Sequence, residues 1–167
     1  EGIINKLDYL QDLGVTTLWL NPVITNDMPT ASYHGYAQTE HYHVDPRLGG
    51  DKAYLALSDE LHKRGMKLIK DIVHNHVGLN HWTILDMPFK EWVNQWPTYT
   101  NTSYKDQTLF DPYAADIDRD IMERGWFVST MPDLNQRSPF VRNYITQSHI
   151  WWIEYACIDA IRPDTDP

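Results

Sequence analysis

The sequence predicts an α/β chain whose short strands run parallel and are joined by helices. Two observations predict it. A helix, a break and an apolar strand follow one another three times, and the long connections all come after strands. Amphipathic helices alternating with short apolar strands imply parallel pairing through helical crossovers. Long segments after strand C-termini are where a (β/α)₈ barrel or a doubly wound sheet builds its site. Both architectures fit the pattern at this level.

In the first unit Ile3, Leu7 and Leu10 lie at helical spacing, Gly14 breaks the helix, and Val15 to Leu20 continues as a strand. About thirty residues follow before the next helix, a long connection for an α/β unit. In the second unit Tyr54, Leu57 and Leu61 share a helical face, Gly65 ends it, and Met66 to Val73 reads as a strand. Glycine just past a helix supplies the left-handed terminator. The stretch from Val77 to Gln136 is rich in Trp, Tyr, Asn, Asp and Pro. Its aromatic content argues against disorder and for a small irregular subdomain. In the third unit Val141, Ile145, Trp152 and Tyr155 mark a helix and Ile158 to Arg162 a strand. The predicted organisation is thus a barrel or sheet part over 1–76, an inserted subdomain over 77–136, and a further part over 137–167. A complete barrel takes about 250 residues, so three units are less than half of one.

Composition narrows the partners. Fourteen Lys and Arg against 23 Asp and Glu leave a net charge of −9 with no basic run, which repels a phosphate backbone. Nucleic acid is therefore not an expected partner. No apolar run approaches the roughly 20 residues needed to span a bilayer. The N-terminus lacks the pattern of a signal peptide and does not begin with Met, so compartment and oligomeric state stay undecided. A single cysteine, Cys157, excludes an internal disulfide framework. Seven Trp and ten Tyr suit either a large aromatic core or a sugar site, since flat rings cover the apolar faces of sugars.

Three constellations carry candidate chemistry. Asp71-Ile72-Val73-His74-Asn75-His76 places polar groups just past an apolar strand. They read either as residues bracing a loop or as a metal site, because His at i and i+2 on a strand face one way. His41 and His43 repeat that spacing. Arg162-Pro163-Asp164 puts a guanidinium and a carboxylate on one side of the last strand. A permanent cation there keeps the carboxylate ionised, as a carboxylate nucleophile requires, although a structural ion pair looks the same. Ser32-Tyr33-His34-Gly35-Tyr36 forms an aromatic platform with polar tips, or a packed loop.

Together these segments resemble the alpha-amylase family of glycoside hydrolases along nearly the whole chain. Asp71 to His76 is similar to the family's D-x-x-x-N-H segment at the end of its third strand. Ile161-Arg162-Pro163-Asp164 resembles the segment closing the fourth, with Asp164 in the nucleophile's place. Tyr33 to Tyr36 and Val44 to Gly49 resemble the loop after the second strand. Met131-Pro132-Asp133-Leu134-Asn135 resembles a motif of the protruding domain, in the form found in the neopullulanase and cyclomaltodextrinase branch. The resemblance implies an incomplete TIM (β/α)₈ barrel, about strands two to four, with an irregular subdomain inserted after the third strand.

It also implies roles. Asp164 would form a covalent glycosyl-enzyme and Arg162 would hold it charged and oriented. His34 and His76 would hydrogen-bond the sugar being cleaved, and Tyr36 would stack on its ring. Asp71 would tie the strand end to the loop. Asn75 and Asp133 match positions that bind calcium in many amylases. Trp82, Trp92, Trp96 and Trp126 would pack the core or line distant subsites. The expected substrate is an α-glucan or maltooligosaccharide, cleaved with retention.

The family's acid/base Glu lies some thirty residues past the nucleophile, beyond Pro167, so the 167-residue polypeptide is expected to be inactive alone. Three residues depart from the pattern. Cys157 and Ala160 stand where the family usually has Gly, and Pro163 interrupts a strand in which proline removes a ladder donor. A non-catalytic glucan-binding relative and a metal-dependent TIM-barrel hydrolase built on the His pairs are the alternatives.

Overall fold

The computed structural model describes residues 1–29 and 33–164; Ser32 of the aromatic platform and Thr165-Asp166-Pro167 lie outside them. The chain starts with a 3₁₀ turn over Ile4–Lys6 that runs into α1 (Leu7–Asp12), followed by β1 (Thr17–Leu20). Helix α2 (Gly50–Lys63) leads to β2 (Lys67–Ile72). Short helices α3 (Trp82–Leu85), α4 (Gln107–Phe110) and α5 (Asp116–Arg124) punctuate the long middle segment. Helix α6 (Pro139–Ala156) then returns to β3 (Ala160–Pro163). The strands form one parallel sheet in the order β1-β2-β3. All three helix–strand units occur where the periodicity places them, with each strand one to two residues shorter at its start. Both expected helix breaks, Gly14 and Gly65, hold positive φ, 91° and 69°.

Side chains alternate across the sheet, and among the described residues α1, α2 and α6 pack against one face of it. Leu18, Leu20, Leu68 and Ile161 join a core with Leu7 of α1, Tyr54, Leu57 and Leu61 of α2, and Trp152 and Ala156 of α6. Leu7, Leu61 and Leu68 have no exposed surface at all. Odd-numbered Trp19 and Asp71 and even-numbered Arg162 project to the opposite face, because Asp71 pairs with Arg162 in register. A second core cluster joins the middle segment to α6 through Val77, Trp92, Val93, Leu134, Val141 and Ile145.

Two departures from the expected pattern have local explanations. Asp164 N–H donates to Ile72 O (2.9 Å), so the neighbouring nitrogen of Pro163 points away from β2 and its missing hydrogen costs no bond in this ladder. Cys157 terminates α6 at φ 51°, ψ 38°, the left-handed region where glycine is unstrained and a side chain costs about 1 kcal/mol.

Among the described strand residues, one on the helix-facing side of the sheet is charged. Lys70, 3% exposed, lies on the helix-facing side with its ammonium 4.9 Å from the Trp152 ring centroid. Burial pushes the ammonium down to about 7, partly opposed by the charge of Asp71. The folded chain thus releases this proton near pH 7, while the unfolded chain keeps it to about 10.5. Over that window the unfolded state binds more protons, so this group's contribution to stability rises with pH. Lys70→Met in the full-length protein should abolish the rise and raise stability at pH 7. Urea unfolding at pH 7 and about pH 9.5 measures both; an unchanged slope would place the ammonium in solvent.

Candidate active site

The site is built at the C-terminal ends of the three strands, on the face opposite those helices. Its centre is Asp71, whose side chain has no exposed surface. The carboxylate accepts from Trp19 Nε1 on β1 (2.9 Å), from the Tyr36 hydroxyl (3.4 Å), and from Arg162 Nη1 on β3 at 3.1 and 3.3 Å. The same Nη1 donates to Asp164 Oδ1 at 2.6 Å. That bond, with the charges of Asp71 and Asp164, raises the guanidinium's already high value, so Arg162 is a permanent cation. Burial and the same two carboxylates push the Tyr36 phenol up, keeping it a donor.

The loop after β1 brings in His34 and Tyr36. Tyr36 N–H donates to His34 Nδ1 (2.9 Å), and the two rings stack 5.8 Å apart. Gly35 makes this turn possible: at φ 86° its Cα lies so near Pro22 that an added Cβ would stand 2.5 Å from the Pro22 carbonyl oxygen. Tyr33 is 95% exposed, its ring edge-on to His34 at 5.4 Å. His76 is 1% exposed, bonded through Nδ1 to Asn75 Oδ1 (3.0 Å) and stacked on Phe127 at 5.2 Å. Burial holds it down at about 4, so it is a neutral imidazole at neutral pH.

Below His76 lies a buried polar knot. Asp133 Oδ1 accepts from Asn75 Nδ2 (2.9 Å), and Oδ2 accepts from Asn94, whose own oxygen accepts from Arg137 (2.6 Å). Burial pushes the Asp133 carboxyl up to about 7, against the pull of the two amides. A cleft of about 450 Å³ opens beside Asn75, Asn94 and Asp133.

The structure thus brings Asp71, Arg162, Asp164, Tyr36 and His34 together and sets Asn75 against Asp133 beside His76. It separates the His pairs. Both lie beyond or away from regular strands, so the two-residue period does not apply: His74 packs toward His149 and His76 toward Phe127. His41 packs on His81 and Tyr144, while His43 bonds Asp51 (2.9 Å). Among the described residues no group of three or more His, Cys, Asp or Glu is arranged to hold a metal ion. Of the four middle-segment tryptophans, Trp92 is core, Trp96 and Trp126 donate to the backbone oxygens of Arg124 and Asn94, and Trp82 is 44% exposed. Trp19, Phe127, Asn94 and Arg137 are the site neighbours that the sequence reading missed. Trp19 carried a signal, being an odd strand position opposite the leucines that face the helices; Phe127 carried none. Gly35→Ala should destabilise the full-length protein by about 1–3 kcal/mol and break the Tyr36–Asp71 contact. Chemical denaturation and a crystal structure of the variant test this, and unchanged values would mean that the turn relaxes freely.

Comparison with known proteins places this site in a family. The family model for the alpha-amylase catalytic domain matches residues 1–167. The intracellular maltogenic amylase of Bacillus subtilis is 31% identical over 164 residues, covering 98% of this chain and 26% of that protein. A cyclomaltodextrinase of Thermoanaerobacter pseudethanolicus is 29% identical over 98% of this chain and 27% of its own length. Among solved structures, an alpha-amylase from Geobacillus thermoleovorans complexed with acarbose superposes with a TM-score of 0.80 at 39% identity, over 98% of this chain and 33% of that one. The chain therefore spans about a quarter to a third of the length of these relatives. With a parallel sheet whose strand ends carry Asp71, Arg162 and Asp164, and with a family match along its length, the chain belongs to the alpha-amylase catalytic-domain family.

Proposed function

We propose that this chain supplies the nucleophile side of a retaining glycoside hydrolase that cleaves α-glucosidic bonds in starch-derived glucans or cyclodextrins. The observation that carries the reading is the single Arg162 nitrogen shared between buried Asp71 and strand-end Asp164. A carboxylate held ionised by a fixed cation is suited to attack an anomeric carbon through an oxocarbenium-like transition state. Asp164 forms the glycosyl-enzyme, and a carboxylic acid from another part of the enzyme protonates the leaving oxygen. His34 and neutral His76 hydrogen-bond the sugar hydroxyls, and Tyr36 stacks on the ring. The names of the relatives, a maltogenic amylase and a cyclomaltodextrinase, support α-glucan or maltooligosaccharide as the substrate class.

In this reading β1 to β3 are strands two to four of an incomplete TIM (β/α)₈ barrel, with 77–136 as an inserted subdomain between barrel parts 1–76 and 137–167. Helices on one sheet face support a barrel over a doubly wound sheet, which is covered on both. Asp164→Asn in the full-length protein is expected to abolish covalent labelling by a fluorinated glucoside, read by intact mass. Persistent labelling would remove Asp164 from the nucleophile's role.

Calcium belongs to the proposal. Asn75 and Asp133 would offer the ion oxygen donors: burial pushes the Asp133 carboxyl up to about 7 despite Asn94, Asn75 and Arg137, and a bound cation would bring it back down. Their amide and carboxylate oxygens would hold the ion, the amides turning to present oxygen instead of nitrogen. Its contribution would be to fix the middle segment against the strand ends. The full-length protein should then melt at lower temperature with chelator than with added calcium, and Asp133→Asn should erase the difference. Equal melting of the wild-type protein in both conditions would withdraw the ion.

A further inference from the structure

Trp19 is tied to the site at two places. Its indole Nε1 donates the shortest of the hydrogen bonds that Asp71 receives, 2.9 Å, and its ring face lies 5.0 Å from the Arg162 guanidinium carbon. It stands on β1, while Asp71 and Arg162 are register partners on β2 and β3, so one side chain spans all three strands. We infer that Trp19 is a positioning residue for Asp164: by hydrogen-bonding Asp71 and lying against Arg162, it decides how the guanidinium divides itself between the two carboxylates. The inference rests on the reading of Asp164 as nucleophile.

Asp71 and Asp164 compete for a single nitrogen. All three contacts from Arg162 to carboxylate oxygens use Nη1, which has two hydrogens. The bond to Asp164 is 2.6 Å, and those to Asp71 are 3.1 and 3.3 Å, so the guanidinium leans toward Asp164. Asp71 has no exposed surface and therefore no water to solvate it. Its remaining donors are Trp19 and, at 3.4 Å, Tyr36. Without the indole N–H the buried carboxylate would satisfy itself by drawing Nη1 closer, at the expense of Asp164. The ring resists the same movement, because a cation held over an aromatic face is attracted to that place. Trp19 sits on a strand, so the position it imposes is rigid.

A sugar-stacking platform is the competing role, since Trp19 is 55% exposed. The two roles separate in the kinetics of covalent labelling by an activated fluoroglucoside, whose leaving group needs no proton. Trp19→Phe keeps a ring and removes the N–H; its exposure makes the change compatible with folding, which a melting curve confirms. In the full-length protein the maximal labelling rate is expected to fall about ten- to hundredfold, the effect of a misplaced reacting group, with half-saturation little changed. Asp71→Asn should also label slowly, and the double variant should be no slower than Asp71→Asn alone, because Trp19 acts through that carboxylate. A rise in half-saturation at unchanged maximal rate, multiplicative effects in the double variant, or wild-type kinetics in Trp19→Phe would each overturn the inference. Failure of the nucleophile reading looks different: the wild-type protein itself would then carry no label on Asp164, and the inference would fall with it.

Discussion

A carboxylate with no exposed surface has to be answered by donors, and the donors of Asp71 come from three separate stretches of the chain. Trp19 reaches it from β1, Tyr36 from the loop after β1, and Arg162 from β3. Removing water from the charge makes each of these contacts stronger and makes an unanswered carboxylate expensive, so the strand ends and the loop are drawn to one point. Arg162 then carries the constraint outward, because the cation that answers Asp71 also bonds Asp164. The candidate nucleophile is positioned by a group whose own position is dictated by a buried charge.

The opposite end of the same strand pair is held in a similar way. Asp159, just before β3, bonds Lys67 and His62 at 2.8 Å and accepts from the Leu68 N–H at 2.9 Å. Carboxylate clamps thus fix the β2–β3 pairing at both ends, and the register puts Asp71 opposite Arg162. A slip of one residue would turn Arg162 toward the leucines of the helix layer and leave Asp71 without its cation. Between the clamps the helix-facing side supplies apolar burial, with Lys70 over Trp152 as its one charged member among the described strand residues.

The middle segment is bound to this frame by polar contacts as much as by its own core. His76 pairs with Asp133 in an isolated bridge, Leu134 N–H donates to Asn75 O at 2.8 Å, and Asn75 bonds the Asp133 carboxylate. The residues after β2 therefore serve two structures at once. They end the strand that carries Asp71, and they anchor the segment that brings Phe127 over His76.

The sequence by itself determined the helix–strand alternation, the parallel pairing it implies and the family, because spacing of apolar residues, glycine breaks and short polar motifs are local properties. It also put Arg162 and Asp164 on one side of a strand end through the two-residue period, and Asp71 at the preceding strand's end through the polar motif that it begins. That period misled where the strand had already ended, at His74 and His76, whose rings turn to different neighbours. Only the tertiary structure decided that Trp19 bonds Asp71 across 52 residues, that Phe127 covers His76, and that the proline of β3 loses nothing in its ladder. Each of those depends on register and on which elements meet, and neither is written in any one stretch of sequence.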